Sequence, residues 1–368
     1  MKKRMKKRIL IVVGTRPNFV KVTRFKKVVR NYNIDLRIVH TGQHYDDKMS
    51  DVFLKQFGIE IDYFLDISNK SANSLIGEII LKLENVINDF KPDLLLSVGD
   101  VNSTLAASIC ANKLQVKLGH IESGLRSLDR GMPEEINRIL TDELSDICFV
   151  TEKSGIQNLK KIGKKDNQIA FVGNTMIDTL IHFNNDIEKS TVIDDLKLKK
   201  QGYILVTLHR PSNVDTKSSI SKIVELLKDL TIKNKVVFAI HPRTKNSFIS
   251  YDLFDFLNEM DNLKVVGPQD YFAFQKLIKD SFCVITDSGG IQEETSFRRI
   301  PCITLRENTE RPITITEGTN VLMSFENEKI LETIESVEQG TFKKGSIPEL
   351  WDGNATNRII EKCFNFIS

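Results

Sequence analysis

The feature that most constrains this chain is a rhythm. Short runs of β-branched and aliphatic residues recur, with amphipathic stretches of helical length between them. In the first half the runs fall at 9–13, 36–40, 94–98, 116–120, 147–151 and 169–172; a second series falls at 203–209, 236–241, 263–266, 283–286, 301–305 and 321–325. Near-continuous apolar runs mark strands covered on both faces. Helical stretches between them supply the crossovers, so the pattern predicts parallel sheets in an α/β chain. Two such series in 368 residues predict two Rossmann-like, doubly wound domains. The polar, helix-breaking stretch from Gly173-Asn174 to Lys189-Ser190 follows the end of the first series, and the expected division is 1–177 and 178–352. A last helix over 355–366 follows Trp351-Asp352-Gly353, and 353–368 is expected to pack back on the first domain.

Charge and cysteine usage exclude several classes. Lys and Arg number 52 against 49 Asp and Glu, a net +3, which is no field for gathering a polyanion, so no nucleic-acid partner is expected. The basic start leads into only five apolar residues before Gly14-Thr15-Arg16-Pro17, fewer than the roughly 7–15 of a signal sequence. No later run approaches the ~20 apolar residues of a membrane span, and a cytoplasmic protein with no membrane partner is expected. Cys110, Cys148, Cys283, Cys302 and Cys363 are scattered, with no CxxC spacing, and read as reduced core thiols, with no disulfide and no metal site.

Ligands of doubly wound sheets bind outside the carboxyl ends of the strands, where loops present backbone N–H groups and helix starts. Those ends are polar here. Thr15-Arg16 follows the first run, His40-Thr41-Gly42-Gln43-His44 the second, Gly99-Asp100 the third and His120-Ile121-Glu122 the fourth. The second series ends in His209-Arg210, His241-Pro242-Arg243, Asp287-Ser288-Gly289-Gly290 and Arg306-Glu307. Each histidine or aspartate alone is common turn chemistry; their recurrence at successive strand ends points to a ligand cleft between two domains.

Thr286-Asp287-Ser288-Gly289-Gly290 runs from a buried strand into a helix, where two glycines let a phosphate approach the backbone and the helix start favours its charge. One turn on, Glu293 or Glu294 suits a ribose diol. Neither GxxxxGK[ST] nor GxGxxG occurs, which removes the main support for an ATPase or a nicotinamide-dependent dehydrogenase. Arg16, with Lys21 one turn later, and Arg311 suit a diphosphate. Asp100 and Glu122 follow buried strands, where desolvation and repulsion between carboxylates favour proton transfer. Glu134 by itself reads as a stabilising first-turn charge. His209 is a candidate for meeting a leaving phosphate.

In order along nearly the whole chain stand GTRP (14–17), Lys21, TGQH (41–44), GD (99–100), GHIESGLR (119–126), PEEINR (133–138), GNTMIDT (173–179), LHR (208–210), HPR (241–243), TDSGGIQEE (286–294), RENTERP (306–312) and DG (352–353). With these the chain resembles the non-hydrolysing UDP-N-acetylglucosamine 2-epimerases. The resemblance implies two Rossmann-like domains in a GT-B arrangement with the UDP-sugar in an interdomain cleft. It implies cofactor-free, reversible inversion at C2 of a UDP-N-acetylhexosamine through a 2-acetamidoglucal, for cell-surface polysaccharide precursors, and a homodimer. Asp100, Glu122 and Glu134 then form the acid/base set, with His209 near the diphosphate. Arg16, Lys21, Gln269, Phe274, Ser288, Gly289, Gly290, Glu294 and Arg311 become UDP-sugar contacts, Phe274 lying by the uracil.

In bacterial members a second UDP-sugar activates at the region matching Gln43-His44; here Tyr45-Asp46 follows, where a glutamine is usual two positions on. The chain also departs from the family pattern at Asn18 and Ile313, where acidic residues are usual, and at Pro211, where arginine is usual. Those departures leave modified UDP-2-acetamido sugars, a diacetamido uronic acid or a 6-deoxy sugar, as alternative substrates. A GT-B glycosyltransferase is the alternative from another class.

Overall fold

A computed structural model describes residues 6–42, 53–68 and 71–368. The chain forms two compact units, one of Met1–His182 with Glu349–Ser368 and one of Phe183–Pro348. In the first, seven strands pair in the order β3-β2-β1-β4-β5-β6-β7, all parallel. They are β1 (Lys7–Val13), β2 (Ile34–His40), β3 (Tyr63–Phe64), β4 (Leu94–Val98), β5 (Lys117–Ser123), β6 (Ile147–Val150) and β7 (Ile169–Phe171). Every residue of β4 is buried, which explains why its run is apolar but for Ser97: a strand with helices on both faces has no side that water can reach. The expected strands reappear within a few residues. The exception is β3, whose two residues are too few to leave a pattern.

The second unit repeats the plan with six strands in the order β10-β9-β8-β11-β12-β13, again all parallel. These are β8 (Ile204–Thr207), β9 (Val236–Ala239), β10 (Leu263–Val266), β11 (Cys283–Thr286), β12 (Cys302–Leu305) and β13 (Asn320–Met323). Strand order reverses between β1 and β4 in one unit and between β8 and β11 in the other. Such switch points open a crevice at the strand carboxyl ends.

The C-terminal helix Ala355–Phe366 belongs to the first unit and sends Ile359, Ile360 and Cys363 into its core. Its start is capped by Asp178, which accepts the N–H groups of Ala355 (3.1 Å) and Thr356 (2.6 Å) and the Thr356 hydroxyl (2.7 Å). Just before it, buried Trp351 donates its Nε1–H to the Thr151 carbonyl at 3.1 Å. All five cysteines are buried and free, and among the described residues no cluster of His, Cys, Asp and Glu is arranged to hold a metal ion. No helix among the described residues is long and apolar enough to cross a membrane.

Candidate active site

At the first switch point, Asn18 joins the ends of β1 and β4. Its Oδ1 accepts the N–H groups of Gly14 (3.0 Å) and Thr15 (3.2 Å), and its Nδ2 donates to the Val98 carbonyl at 3.1 Å. The last bond explains the amide at this position, because an ionised carboxylate has no hydrogen to give a carbonyl. Gly99 follows with φ +71°, and a Cβ there would sit 3.3 Å from both Asn18 Nδ2 and Lys21 Nζ. Glycine therefore keeps the turn open for the next residue, Asp100.

Four charged side chains alternate in sign here. Arg138 Nη2 reaches Asp100 Oδ2 at 2.5 Å and Glu122 Oε1 at 3.3 Å, and Lys21 pairs with the other oxygen of Glu122. Glu122 is only 3% exposed and Asp100 23%, so one carboxylate is closed off and the other opens outward. Glu122 was expected in a loop after the fourth run, yet it lies inside β5, at a bulge where the pairing with β6 shifts register, and its φ is +70°. A non-glycine residue in that region is strained, and the strain turns this carboxylate towards Lys21 and Arg138. The helix Pro133–Leu144 supplies Arg138, and its Asn137 donates to the Asp100 carbonyl at 2.9 Å.

The second switch point is organised by Asp287. Its buried carboxylate accepts the N–H groups of His209 (3.0 Å) and Arg210 (2.9 Å), Asn213 Nδ2 (3.0 Å) and His209 Nδ1 (3.1 Å). Burial alone would raise its pKa, but these donors, His209 foremost, hold it below the ordinary carboxylate value. His209 is 38% exposed and has its Nδ1 side on Asp287, so Nε2 is the nitrogen left for a ligand.

Ser288 caps the helix Gly289–Arg298, and Arg311 lies across its first turn: a Cβ on Gly289 would come within 2.7 Å of Arg311 Nη1. Arg311 is pinned by Glu293 (3.1 Å) and Glu310 (3.3 Å), and Glu310 also holds Arg306 at 2.9 and 3.0 Å. Burial opposes the charge on Glu310, yet Arg306 and Arg311 keep it well below the usual carboxylate range. A helix start with open N–H groups, two small residues and a fixed guanidinium is suited to a phosphate group. One turn on, burial pushes the Glu294 carboxyl up to about 7, against the lowering effect of a hydrogen bond with Gln275.

Of the residues expected from sequence, Lys21, Asp100 and Glu122 come together in the first unit, and Ser288, Gly289, Gly290 and Arg311 in the second. Arg16 is half-buried, 5.7 Å above the Phe53 ring. Glu134 is exposed in the first turn of its helix, while its neighbour Glu135 is buried and accepts the N–H groups of Ser127 (2.8 Å) and Leu128 (3.3 Å). Gln269 donates to the Gly267 carbonyl at 3.0 Å, and Phe274 is half-buried against the core of the second unit. Of the two candidates for the ribose, Glu293 is engaged by Arg311. Gln43 and His44 lie outside the described residues.

Two strand-end histidines read as cleft residues are instead buried. His40 stacks between Phe19 and Phe64, accepts the Gly42 N–H at Nδ1, and burial lowers its pKa to about 4. His120 is wholly enclosed between Gly99 and Asp142. Arg138, Asn18 and Asp287 were quoted from the sequence without a role in the site. The proline beside Asn18 and near Asn213, at the start of the helix after each unit's central strand, was the available signal.

Fold and site together define a doubly wound α/β enzyme with paired carboxylates at one switch point and a glycine-rich helix start faced by Arg311 at the other. The profile of the UDP-N-acetylglucosamine 2-epimerase family matches residues 26–363, and the chain belongs to that family. It is 38% identical to the UDP-N-acetylglucosamine 2-epimerase of Methanocaldococcus jannaschii, covering 89% of this chain and 91% of that one. It is equally 38% identical to the UDP-2,3-diacetamido-2,3-dideoxy-D-glucuronate 2-epimerase of Pseudomonas aeruginosa, over 96% of this chain and 98% of the other. Among solved structures, the M. jannaschii UDP-GlcNAc 2-epimerase in complex with UDP-GlcNAc and UDP superposes with a TM-score of 0.88 at 36% identity, covering 97% of this chain and 99% of that one.

Proposed function

We propose that the chain interconverts UDP-N-acetylglucosamine and UDP-N-acetylmannosamine. The observation that carries this reading is the alternating array Asp100, Arg138, Glu122 and Lys21 at the first switch point. A C2 hydrogen has no neighbouring carbonyl to acidify it, so its removal must be coupled to departure of the C1 substituent. In that step the C2–H bond breaks, its electron pair forms the C1=C2 double bond, and the C1–O bond breaks with its electrons leaving on UDP. The proton passes to a carboxylate of the set Asp100, Glu122 and Glu134. The departing diphosphate gains charge, and Arg311, the N–H groups at Gly289 and Gly290, and His209 through Nε2 are its counterparts in this reading. Re-addition of UDP to C1, with a proton returned to the opposite face of C2, gives the epimer, so atoms and charge balance without a cofactor.

Lys21 and Arg16 complete the diphosphate contacts, Glu294 takes the ribose, and Gln269 and Phe274 lie at the uracil. Incubation in D2O with UDP-N-acetylglucosamine, followed by proton NMR, is expected to show deuterium at C2 and the manno epimer, both lost in Asp100→Asn. Absence of exchange with every UDP-2-acetamido sugar overturns the reading. The equal identity to a diacetamidoglucuronate epimerase favours a second substrate, UDP-2,3-diacetamido-2,3-dideoxyglucuronate, and the same assay on both sugars separates them by kcat/KM. Assignment as a homodimer serving polysaccharide synthesis rests on the family resemblance, and that as cytoplasmic on the short apolar start and the want of a spanning run; light scattering tests the dimer.

A further inference from the structure

His120 lies in β5, two residues before Glu122, and no part of it is open to solvent. Its Nε2 is 2.7 Å from the carbonyl oxygen of Gly99, and its Nδ1 is 2.7 Å from Asp142 Oδ1. A carbonyl has no hydrogen to give. Asp142 is held ionised: burial alone would raise its pKa, but His120, Arg126 and Ser123 bring it down to about 2. The ring therefore donates from both nitrogens.

The two acceptors matter because of what they adjoin. Gly99 precedes Asp100, and its carbonyl belongs to the left-handed turn that presents that carboxylate. Asp142 lies one helical turn beyond Arg138, on the helix whose Arg138 and Asn137 grip the Asp100 side chain and carbonyl. Asp142 is further tied to Ser123 Oγ (2.5 Å), the Gly124 N–H (3.1 Å) and Arg126 Nη1 (2.6 Å). The Gly99 N–H donates to the Ile121 carbonyl at 3.0 Å. The turn before Asp100 is thus held from the β5 side by Ile121 and His120, and from the helix side by Asn137 and Arg138.

We infer that His120 is a positioning residue, a buried crosspiece between the Asp100 turn and the helix that carries Arg138, which sets the carboxylate for proton transfer without touching substrate. The inference rests on the epimerase reading. It predicts that the bond to Gly99 matters more for catalysis than the bond to Asp142, because Asp142 keeps Ser123, Gly124 and Arg126 when His120 is replaced.

The two amide side chains separate these arms. In His120→Gln the amide N–H group can take the place of Nε2 and keep the Gly99 bond; in His120→Asn it takes the place of Nδ1 and keeps the Asp142 bond. The experiment measures kcat and KM for the sugar that the wild type epimerises, together with UDP affinity by calorimetry, at matched folded fraction. His120→Asn is expected to lose about tenfold to a hundredfold in kcat, the scale set by displacing a reacting group by about 1 Å, with KM and UDP affinity within about threefold. His120→Gln is expected to keep most of kcat.

Equal losses in the two variants, an Asn variant as active as wild type, or a loss carried by KM overturns the inference. Nitrogen NMR of the histidine-labelled wild type tests it independently of folding in the variants. One ring with both N–H groups slow to exchange supports it, and no such ring overturns it. A wild type inactive on every UDP-sugar would instead refute the epimerase reading and leave the NMR arm to decide the ring's role.

Discussion

Replacing Arg138 by methionine removes a cation shared by Asp100 and Glu122. Both carboxylates bond the same guanidinium nitrogen, at 2.5 and 3.3 Å, so their oxygens stand within about 6 Å of each other, close enough for strong repulsion once the cation is gone. Removing one partner of a buried pair costs about 3–5 kcal/mol. Glu122 keeps Lys21, and Asp100, at 23% exposed, reaches water, so the lower end applies, about 3 kcal/mol. For a unit of roughly 200 residues that corresponds to a fall of about 6–12 °C in Tm. Trp351 is the only tryptophan and is buried in the first unit, so its fluorescence in urea titrations reports that unit alone. Arg138→Met is expected to unfold at lower urea than wild type at pH 7, by the equivalent of about 3 kcal/mol. A loss under about 1 kcal/mol, the range of an exposed pair, would refute the argument.

Gly289→Ala places a methyl group 2.7 Å from Arg311 Nη1 and 3.2 Å from its Cζ, and Glu293 and Glu310 restrain the guanidinium from moving aside. Calorimetry is expected to show UDP affinity reduced about tenfold or more with the fold intact by circular dichroism, about 1.4 kcal/mol of binding. For Glu294, the folded carboxyl titrates at about 7, above its unfolded value, so its contribution is full in acid and is lost as pH rises through about 7. Glu294→Gln is accordingly expected to match wild type in urea resistance at pH 5 and exceed it at pH 8, measured by circular dichroism.

Strand positions were legible because both faces of each sheet are covered. A buried strand must be largely apolar, and β4 and β11 appear at the very residues the runs marked, as does the half-buried edge strand β10. The glycine pair after β11 was legible as a turn into a helix, but that Arg311 leaves no room for a side chain at Gly289 is a tertiary fact. Glu122 was legible as a residue but not as a conformation. Its backbone strain arises from a bulge against β6, a strand more than twenty residues away. Arg138 lay in a quoted motif without a role, because its partners Asp100 and Glu122 are 38 and 16 residues distant. His120 was misplaced in the cleft: its motif shows a strand-end histidine, whereas burial between Gly99 and Asp142 is a property of the packed helix.

The amino-acid sequence by itself determined the α/β class, the two series of parallel strands, the polar character of the strand ends and the ordered motifs of the epimerase family. Those are local properties, set by periodicity and by residue type along one stretch of chain. Tertiary structure alone decided which charges neighbour one another. It joined Lys21, Asp100, Glu122 and Arg138 into one alternating array, left Glu134 outside on the surface, and put Asp287 rather than a more obvious residue at the centre of the second switch point. The physical reason is that a charge is stabilised by partners within a few ångströms in space, and a crossover fold brings together strand ends that are distant in sequence.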